Sequence, residues 1–562
     1  MPVIEVHLKD FQELLGVEVS IEELERRMPM MGVAWEGRTP EGFSIEVFPN
    51  RPDMLSVEGL ARAYAAFIGL KPGLRRYEAK SSNYAAIIDE RVESIRPYFA
   101  SAVVTDLKFT DALIRSLMQL QEKLHITHCR KRRKVSIGLH DLEAIDFPVT
   151  YTARPPDFSF HPLDAEGEMT LEEILRHHPK GQEYGWILEG EAEYPILMDA
   201  KGMVLSMPPI INSIHTRIDE ETTSLFIDVT GTDMKTIMEV LNILATTLAD
   251  RGGVIYTVEN RYRDQVVISP DLSPMEMELD VDYVNRLLGL ELSPQEVAML
   301  LERMGHGVEV GEKLKVYIPC YRTDVMHPFD LVEDVAIAYG YDRFIPEIPD
   351  IAQPGWEDPL EVFTRHLRDL LVGFGLLETL TFMMTNKRRL FDLMCLPEEP
   401  VAETENPKTE EYTVLRNRLL PSLMEVLSKN THHPYPQNLF EVDDVILLDD
   451  REPSGARTAR RLAIVLCHSR ANFSEIKAIM ESILENLGIE NVDIKAGGLE
   501  CFIDGRRLVA EVEGRPLCWA GEIRPEVLEN WGLEMPVAAL EMDVDLLFEL
   551  VRGRERKWRD PQ

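Results

Sequence analysis

Four carboxylates, Asp324, Asp330, Glu333 and Asp334, fall within eleven residues of the stretch 316–344, VYIPCYRTDVMHPFDLVEDVAIAYGYDRF. Val316, Tyr317 and Ile318 predict a short strand, which Pro319 ends because it brings no N–H to a ladder. After a polar turn, Pro328 suits the first position of a helix, where a missing N–H costs nothing. Leu331, Val332, Val335, Ala336 and Tyr339 fall on one side of that helix at roughly 100° per residue. Asp330, Glu333 and Asp334 fall on the other, one turn apart, with Asp324 just upstream at the end of the turn. Oxygen ligands so grouped suit a hard divalent cation, magnesium foremost. The same residues also suit a plain solvated helix start, where acidic side chains complement the helix dipole.

A chain of 562 residues must supply the elements that hold such a group, and its length implies about three to five domains. Hydrophobic residues at 45% and charged residues at 28% describe a soluble globular protein with real cores. No run reaches the roughly 18 apolar residues of a membrane span. The first residues, MPVIEVHLKDFQELL, lack the basic region of a signal peptide. Six scattered cysteines without Cys-x-x-Cys spacing read as reduced thiols, which places the protein in the cytoplasm. A net charge of −37 argues against the whole chain wrapping nucleic acid. Two local exceptions are the block Arg130-Lys131-Arg132-Arg133-Lys134 and the basic run at 552–559, RGRERKWR.

Four modules follow from the pattern along the chain. Residues 1–75 hold two short helices (Phe11, Leu14, Leu15; Ile21, Leu24, Met28), a strand with Phe43, Ile45 and Val47, and a helix capped by Ser56. Residues 71–86 are poor in apolar side chains and read as a linker. Residues 90–265 carry a helix around 114–124, the basic block, the segment VSIGLHDL, a hairpin turning at 199–202, and the segments PPIINS and SLFIDVTGTD. Residues 270–347 open with two short helices closed by Gly289 and Gly305 and then contain the carboxylate stretch. Residues 355–550 alternate helices with strands, among them ETLTFMM, LFEVDDVILL and RLAIVLCHS.

Several of these segments are similar to the phenylalanyl-tRNA synthetase β-subunit family. They are Asn50-Arg51-Pro52-Asp53 with the Ser56 helix, Tyr321-Arg322-x-Asp324, Asp330-Leu-Val-Glu-Asp334 with Ala338-Tyr-Gly-Tyr341, and the closing GEIRPEVLENWGL and PVAALEMDVDLL. They occur in family order from Asn50 to Leu547. The resemblance implies a multidomain α+β protein of archaeal or eukaryotic type. Its modules would be a tRNA-editing domain at 90–265, a small winged-helix-like module with a metal site at 270–347, and a class II synthetase-like antiparallel sheet core at 355–550. That core lacks the catalytic motifs: no Gly-x-Gly-x-Gly segment, no HIGH and no KMSKS occurs, so it reads as catalytically silent.

The resemblance further implies a catalytic α subunit in an α2β2 tetramer, tRNA(Phe) as RNA partner, ATP bound by the complex, and magnesium shared with α through Asp324, Asp330, Glu333 and Asp334. The reaction would be ATP-dependent attachment of phenylalanine to tRNA(Phe), with hydrolysis of mischarged tyrosyl-tRNA(Phe) in the editing domain. A hydrophobic site for phenylalanine rejects an added hydroxyl weakly, so a second, hydrolytic sieve is needed. His140, Asn212 and Ser213 are the residue types that would hydrogen-bond a phenol there, although each also suits a turn or a satisfied core position. Two other readings stand beside this one: a free-standing deacylase, and a non-catalytic nucleic-acid-binding scaffold built on the winged-helix-like module.

Overall fold

The computed structural model describes residues 2–554, so residues 555–559 of the basic C-terminal run lie outside the described residues. The chain folds as two units, Met1–Ile348 and Pro349–Gln562.

In the first unit, alternation at Phe43 and Ile45 builds the central strand, Gly42–Glu46, of a three-stranded antiparallel sheet with Val3–His7 and Ala34–Thr39. The helices Leu8–Leu15, Ile21–Arg27 and Val57–Phe67 accompany it; Ser56 caps the last by accepting the Gly59 N–H. An eleven-stranded sheet follows, with order running from Ile211–Asn212 at one end to Val135–Asp141 at the other. A third group packs Val281–Leu288, Pro294–Arg303 and Pro328–Tyr339 with a sheet of Met275–Leu279, Leu314–Ile318 and Gly307–Val310. One buried apolar cluster runs from Ile4 to Ala338, so residues from 1–75, 90–265 and 270–347 share a single core.

Residues 71–86 are not a linker. Ala79–Lys80 and Ala85–Ile88 pair in parallel with Val254–Arg261, and Tyr77 packs on the shared core. Strands of only two and four residues carry too little periodicity to be read alone; their partner lies some 170 residues downstream, by roughly the separation of Lys80 and Tyr256.

The second unit is a seven-stranded sheet, antiparallel but for the parallel edge strand Leu377–Glu378. Its twelve-residue strands Gln437–Leu448 and Ala456–Cys467 obey period 2. Phe440, Val442, Leu462 and Ile464 face one core with the helices Pro359–Gly373 and Phe473–Asn486. Leu439, Val445, Ala463 and Val465 face the other with Leu420–Lys429 and Pro525–Trp531. The segment 378–384, read as a strand, forms only Leu377–Glu378 and Met384–Thr385 at its ends. Leu380 and Phe382 between them are 77% and 76% exposed. Alternation is present, but among the described residues no neighbouring strand supplies a ladder for 379–383.

Burial also sets one acid sensitivity. His125 is 3% exposed, its Nε2 accepts the Ile137 N–H at 3.0 Å, and burial, followed by nearby Arg132 and Arg96, holds its pKa well below the ordinary value of 6.5. A histidine kept neutral only in the fold contributes stability above its unfolded pKa and loses it as the pH falls. Unfolding titrations should therefore show the first unit losing up to about 1.4 kcal/mol per pH unit below pH ~6.5 through this residue. His125→Gln should remove that component.

Candidate functional site

The buried strands Val135–Asp141 and Leu225–Gly231 are neighbours in register, which sets Gly138 opposite Asp228 and His140 opposite Phe226. All seven residues of Leu225–Gly231 are buried, so Asp228 is a carboxylate set in an apolar ladder. His140, wholly buried, sits behind it: its Nε2 lies 2.7 Å from Asp228 Oδ2, and its Nδ1 2.7 Å from Thr216 Oγ1. The glycine is required by this pair. A Cβ at Gly138 would lie 1.9 Å from Asp228 Oδ2 and 2.8 Å from His140 Nε2. Gly138→Ala should therefore displace the carboxylate and cost about 1–3 kcal/mol, measured by denaturant unfolding of the full chain.

Asp228 faces a cavity of about 320 Å³, within the usual size of small-ligand sites. Met118, Ile137, Leu139, Met207 and Ile211 give it apolar walls, and Ser206 and Asn212 bring polar groups. The short strand Ile211–Asn212 is also stapled to Val135–Asp141: Asn212 Nδ2 donates to the Leu139 carbonyl at 3.2 Å. Ser213 Oγ donates to the His161 carbonyl at 3.2 Å and accepts the His215 N–H. The three sequence-chosen residues thus converge on one cavity region, with Asn212 and Ser213 in its lining and His140 behind it. Both ring nitrogens of His140 and the hydroxyl of Ser213 are engaged inside the protein, which limits what they offer a ligand. Ser206 Oγ, by contrast, is buried with no hydrogen-bond partner among the described residues. Asp228, Ser206 and Gly138 were not singled out from sequence. An aspartate inside the apolar run LFIDV was the available signal for the first.

The four carboxylates of the second candidate site separate into two pairs. Asp334 was placed on the polar face of its helix, but it is 3% exposed, with Oδ2 2.6 Å from His306 Nε2 and 2.8 Å from Arg322 Nη2. Arg322 also grips Asp324 with two bonds, at 2.8 and 2.7 Å. Burial would raise both carboxyls, but the Arg322 guanidinium outweighs it and holds them below the ordinary range, Asp334 far below. An internal arginine and histidine therefore claim two acids that helix spacing alone assigns to solvent. Asp330 Oδ2 accepts the Met326 and His327 N–H groups, each at 2.7 Å, and closes the helix start. Exposed Glu333 is raised, first by burial of its carboxyl and then by Asp334, Asp330 and Asp324. Among the described residues no group of three or more ligand side chains is placed to hold a metal.

A protein from Archaeoglobus fulgidus, a phenylalanine–tRNA ligase beta subunit, is 43% identical to this chain over 98% of it and 99% of its own length. The chain belongs to the phenylalanine–tRNA ligase beta-subunit family. A second family member, from Thermococcus sibiricus, is 43% identical over 96% of this chain and 98% of its own. The phenylalanyl tRNA synthetase beta chain CLM domain matches residues 345–544, most of the second unit, and the tRNA synthetase B5 domain matches 277–341, around the carboxylate helix. Among solved structures, an N-terminal fragment of the phenylalanyl-tRNA synthetase beta subunit from Pyrococcus horikoshii superposes with a TM-score of 0.59 at 41% identity. It covers 60% of this chain and 99% of the fragment. No helix among the described residues of this beta-subunit family member is long and apolar enough to cross a membrane.

Proposed function

We propose that the chain is the β subunit of a cytoplasmic phenylalanine–tRNA ligase and that its Asp228 cavity clears tyrosine mistakenly joined to tRNA(Phe). The fixed carboxylate carries this reading. A tyrosyl ester offers a phenol O–H to Asp228, whereas a phenylalanyl ester offers nothing and would leave that carboxylate desolvated and unmet. A site built to bond a hydroxyl rejects the analogue lacking it far more strongly than an apolar site rejects an added hydroxyl. His140 and Thr216 orient Asp228, Ser206 supplies a free hydroxyl, and the apolar walls hold the ring. Residues 90–265 are thus the editing domain, and 270–347 the winged-helix-like module of the family.

The second unit is a class II synthetase-like core without its chemistry. Arg416, wholly buried, spends its guanidinium on Glu441 Oε1 at 2.9 Å, Asp443 Oδ2 at 2.7 Å and the Asp444 carbonyl at 3.0 Å. With no glycine-rich ATP segment in the sequence, activation of phenylalanine falls to an α partner in an α2β2 tetramer. Val372 near the end of its helix, Leu377 of the edge strand, and Leu380 and Phe382 just after it are 58–77% exposed, which supports a partner there over a free-standing deacylase. Purified alone, this chain should give only background phenylalanine-dependent pyrophosphate exchange, and full exchange when the α subunit is added. Exchange by the lone chain would contradict the silent core.

Magnesium fits exposed Glu333 and part-exposed Asp330 as a hydrated ion and not as a four-carboxylate cage. Glu333 and Asp330 would hold it, with waters or partner oxygens completing the shell, while Asp324 and Asp334 belong to the Arg322 network behind. When bound it would supply charge neutralisation between two repelling carboxylates, a structural tie to the α subunit.

A further inference from the structure

The basic block 130–134 is a rigid turn, not a floppy tail. Arg130, Lys131 and Arg132 all have left-handed backbone, with φ of 51°, 52° and 64°. Each such residue costs about 1–2 kcal/mol, so the surrounding structure must impose the shape. It does so from both sides. The carbonyls of Arg132 and Arg133 each accept a bond at 3.2 Å from the guanidinium of Arg96, itself 2% exposed and anchored on Thr230. The Arg132 side chain folds the opposite way, into the cavity wall. There its Nη1 donates to the Pro209 and Ile210 carbonyls at 3.2 and 2.8 Å, and its guanidinium lies 4.3 Å from the Tyr184 ring centroid.

Folding Arg132 inward leaves Arg130, Lys131 and Arg133 exposed on the same turn, next in the chain to the Arg132 that lines the cavity. Among the described residues none of the three has a carboxylate partner, although Lys134 pairs with Asp233 at 3.0 Å and Lys180, also in the lining, pairs with Glu183 at 2.8 Å. Acidic residues outnumber basic ones 97 to 60 in this chain, so three adjacent unpaired cations held in a strained turn stand out from its surface. The geometry points to a polyanion. We propose that Arg130, Lys131 and Arg133 grip the phosphates of the last nucleotides of the aminoacylated RNA, feeding its 3′ end into the cavity lined by Arg132. This rests on reading the cavity as the deacylation site. An ester seated there carries its own phosphates one and two nucleotides back, outside the cavity mouth, where a fixed cationic turn meets them. Phosphate contacts position a nucleic acid without reading its sequence.

The test uses the full chain with Arg130→Gln, Lys131→Gln and Arg133→Gln combined, leaving Arg132 intact. Two substrates are compared: tyrosyl-tRNA(Phe), and 3′-O-tyrosyl-adenosine, the same ester without phosphates. On tyrosyl-tRNA the triple variant should lose about tenfold in kcat/KM at low salt, mainly through KM. Its log–log salt dependence should become shallower by about 2, the share of three phosphate contacts on a single strand. Hydrolysis of the adenosine ester should be unchanged. Equal losses on both substrates would mean that the turn merely supports the cavity, and no loss on either would also overturn the proposal. So would unchanged RNA kinetics with weakened assembly with the α subunit, which would assign the turn to an acidic protein surface. If the unaltered chain hydrolyses neither ester, it is the reading of the cavity that fails. Salt titration of uncharged tRNA(Phe) binding then decides the turn alone, with a shallower slope expected for the variant and an unchanged slope overturning it.

Discussion

Asp228→Ala should lower hydrolysis of tyrosyl-tRNA(Phe) by about a hundredfold to a thousandfold while leaving charging with phenylalanine intact. The side chain is 2% exposed and lies 2.7 Å from His140 Nε2, so its carboxylate is held in one place before any ligand arrives. A preoriented acceptor in a largely apolar cavity loses little on reorganisation when a phenol reaches it, and its removal deletes that advantage entirely. The small alanine leaves His140 bonded to Thr216, so the fold should persist. The check is a pair of assays on the assembled ligase: release of tyrosine from mischarged tRNA, and phenylalanine charging. A variant that clears tyrosine at the original rate would remove Asp228 from the site.

The second large effect lies in the carboxylate cluster and separates two neighbouring acids. Asp334→Asn should cost about 3–5 kcal/mol, because it leaves the buried Arg322 and His306 without the charge they share. Glu333→Gln, one residue earlier and exposed, should stay within about 0.5 kcal/mol. Denaturant unfolding of the two variants measures the contrast. The Asp334 contribution is fully present above the ordinary aspartate value of 3.8 and should fade only as the pH drops below it, since its folded pKa is depressed. Glu333→Gln is accordingly the variant with which to ask whether magnesium strengthens assembly, since Asp334→Asn would weaken the fold itself.

What was legible in the sequence was local. Pro328 as the first helical residue, Ser56 as a cap, Gly289 and the hairpin at 199–202 each declare themselves through one residue's backbone needs, and each appears where expected. The strands read in LFEVDDVILL and RLAIVLCHS were equally plain as apolar runs, because both faces of that sheet are buried by helices. What escaped were features set by partners distant in the chain. The short strands at 79–80 and 85–88 exist because Val254–Arg261 pairs with them. Asp334 changed sides because Arg322 and His306 wait in the interior, a contact that helical periodicity does not contain. In the cavity, Asn212 and Ser213 were visible through their polar types in an apolar setting. Asp228 and Gly138 matter through cross-strand register, which only the pairing of two strands some 90 residues apart, as between Gly138 and Asp228, reveals.

Under the proposed function, a fixed carboxylate beside His140 makes this chain discriminate by the phenol hydroxyl. The most direct measurement compares hydrolysis of tyrosyl and phenylalanyl esters carried on the same tRNA(Phe), at equal concentration, by the assembled ligase without ATP. The tyrosyl ester should be cleared at least about a hundredfold faster, and Asp228→Ala should abolish the difference. Equal rates for the two esters, or a tyrosyl preference that survives Asp228→Ala, would contradict the proposed function.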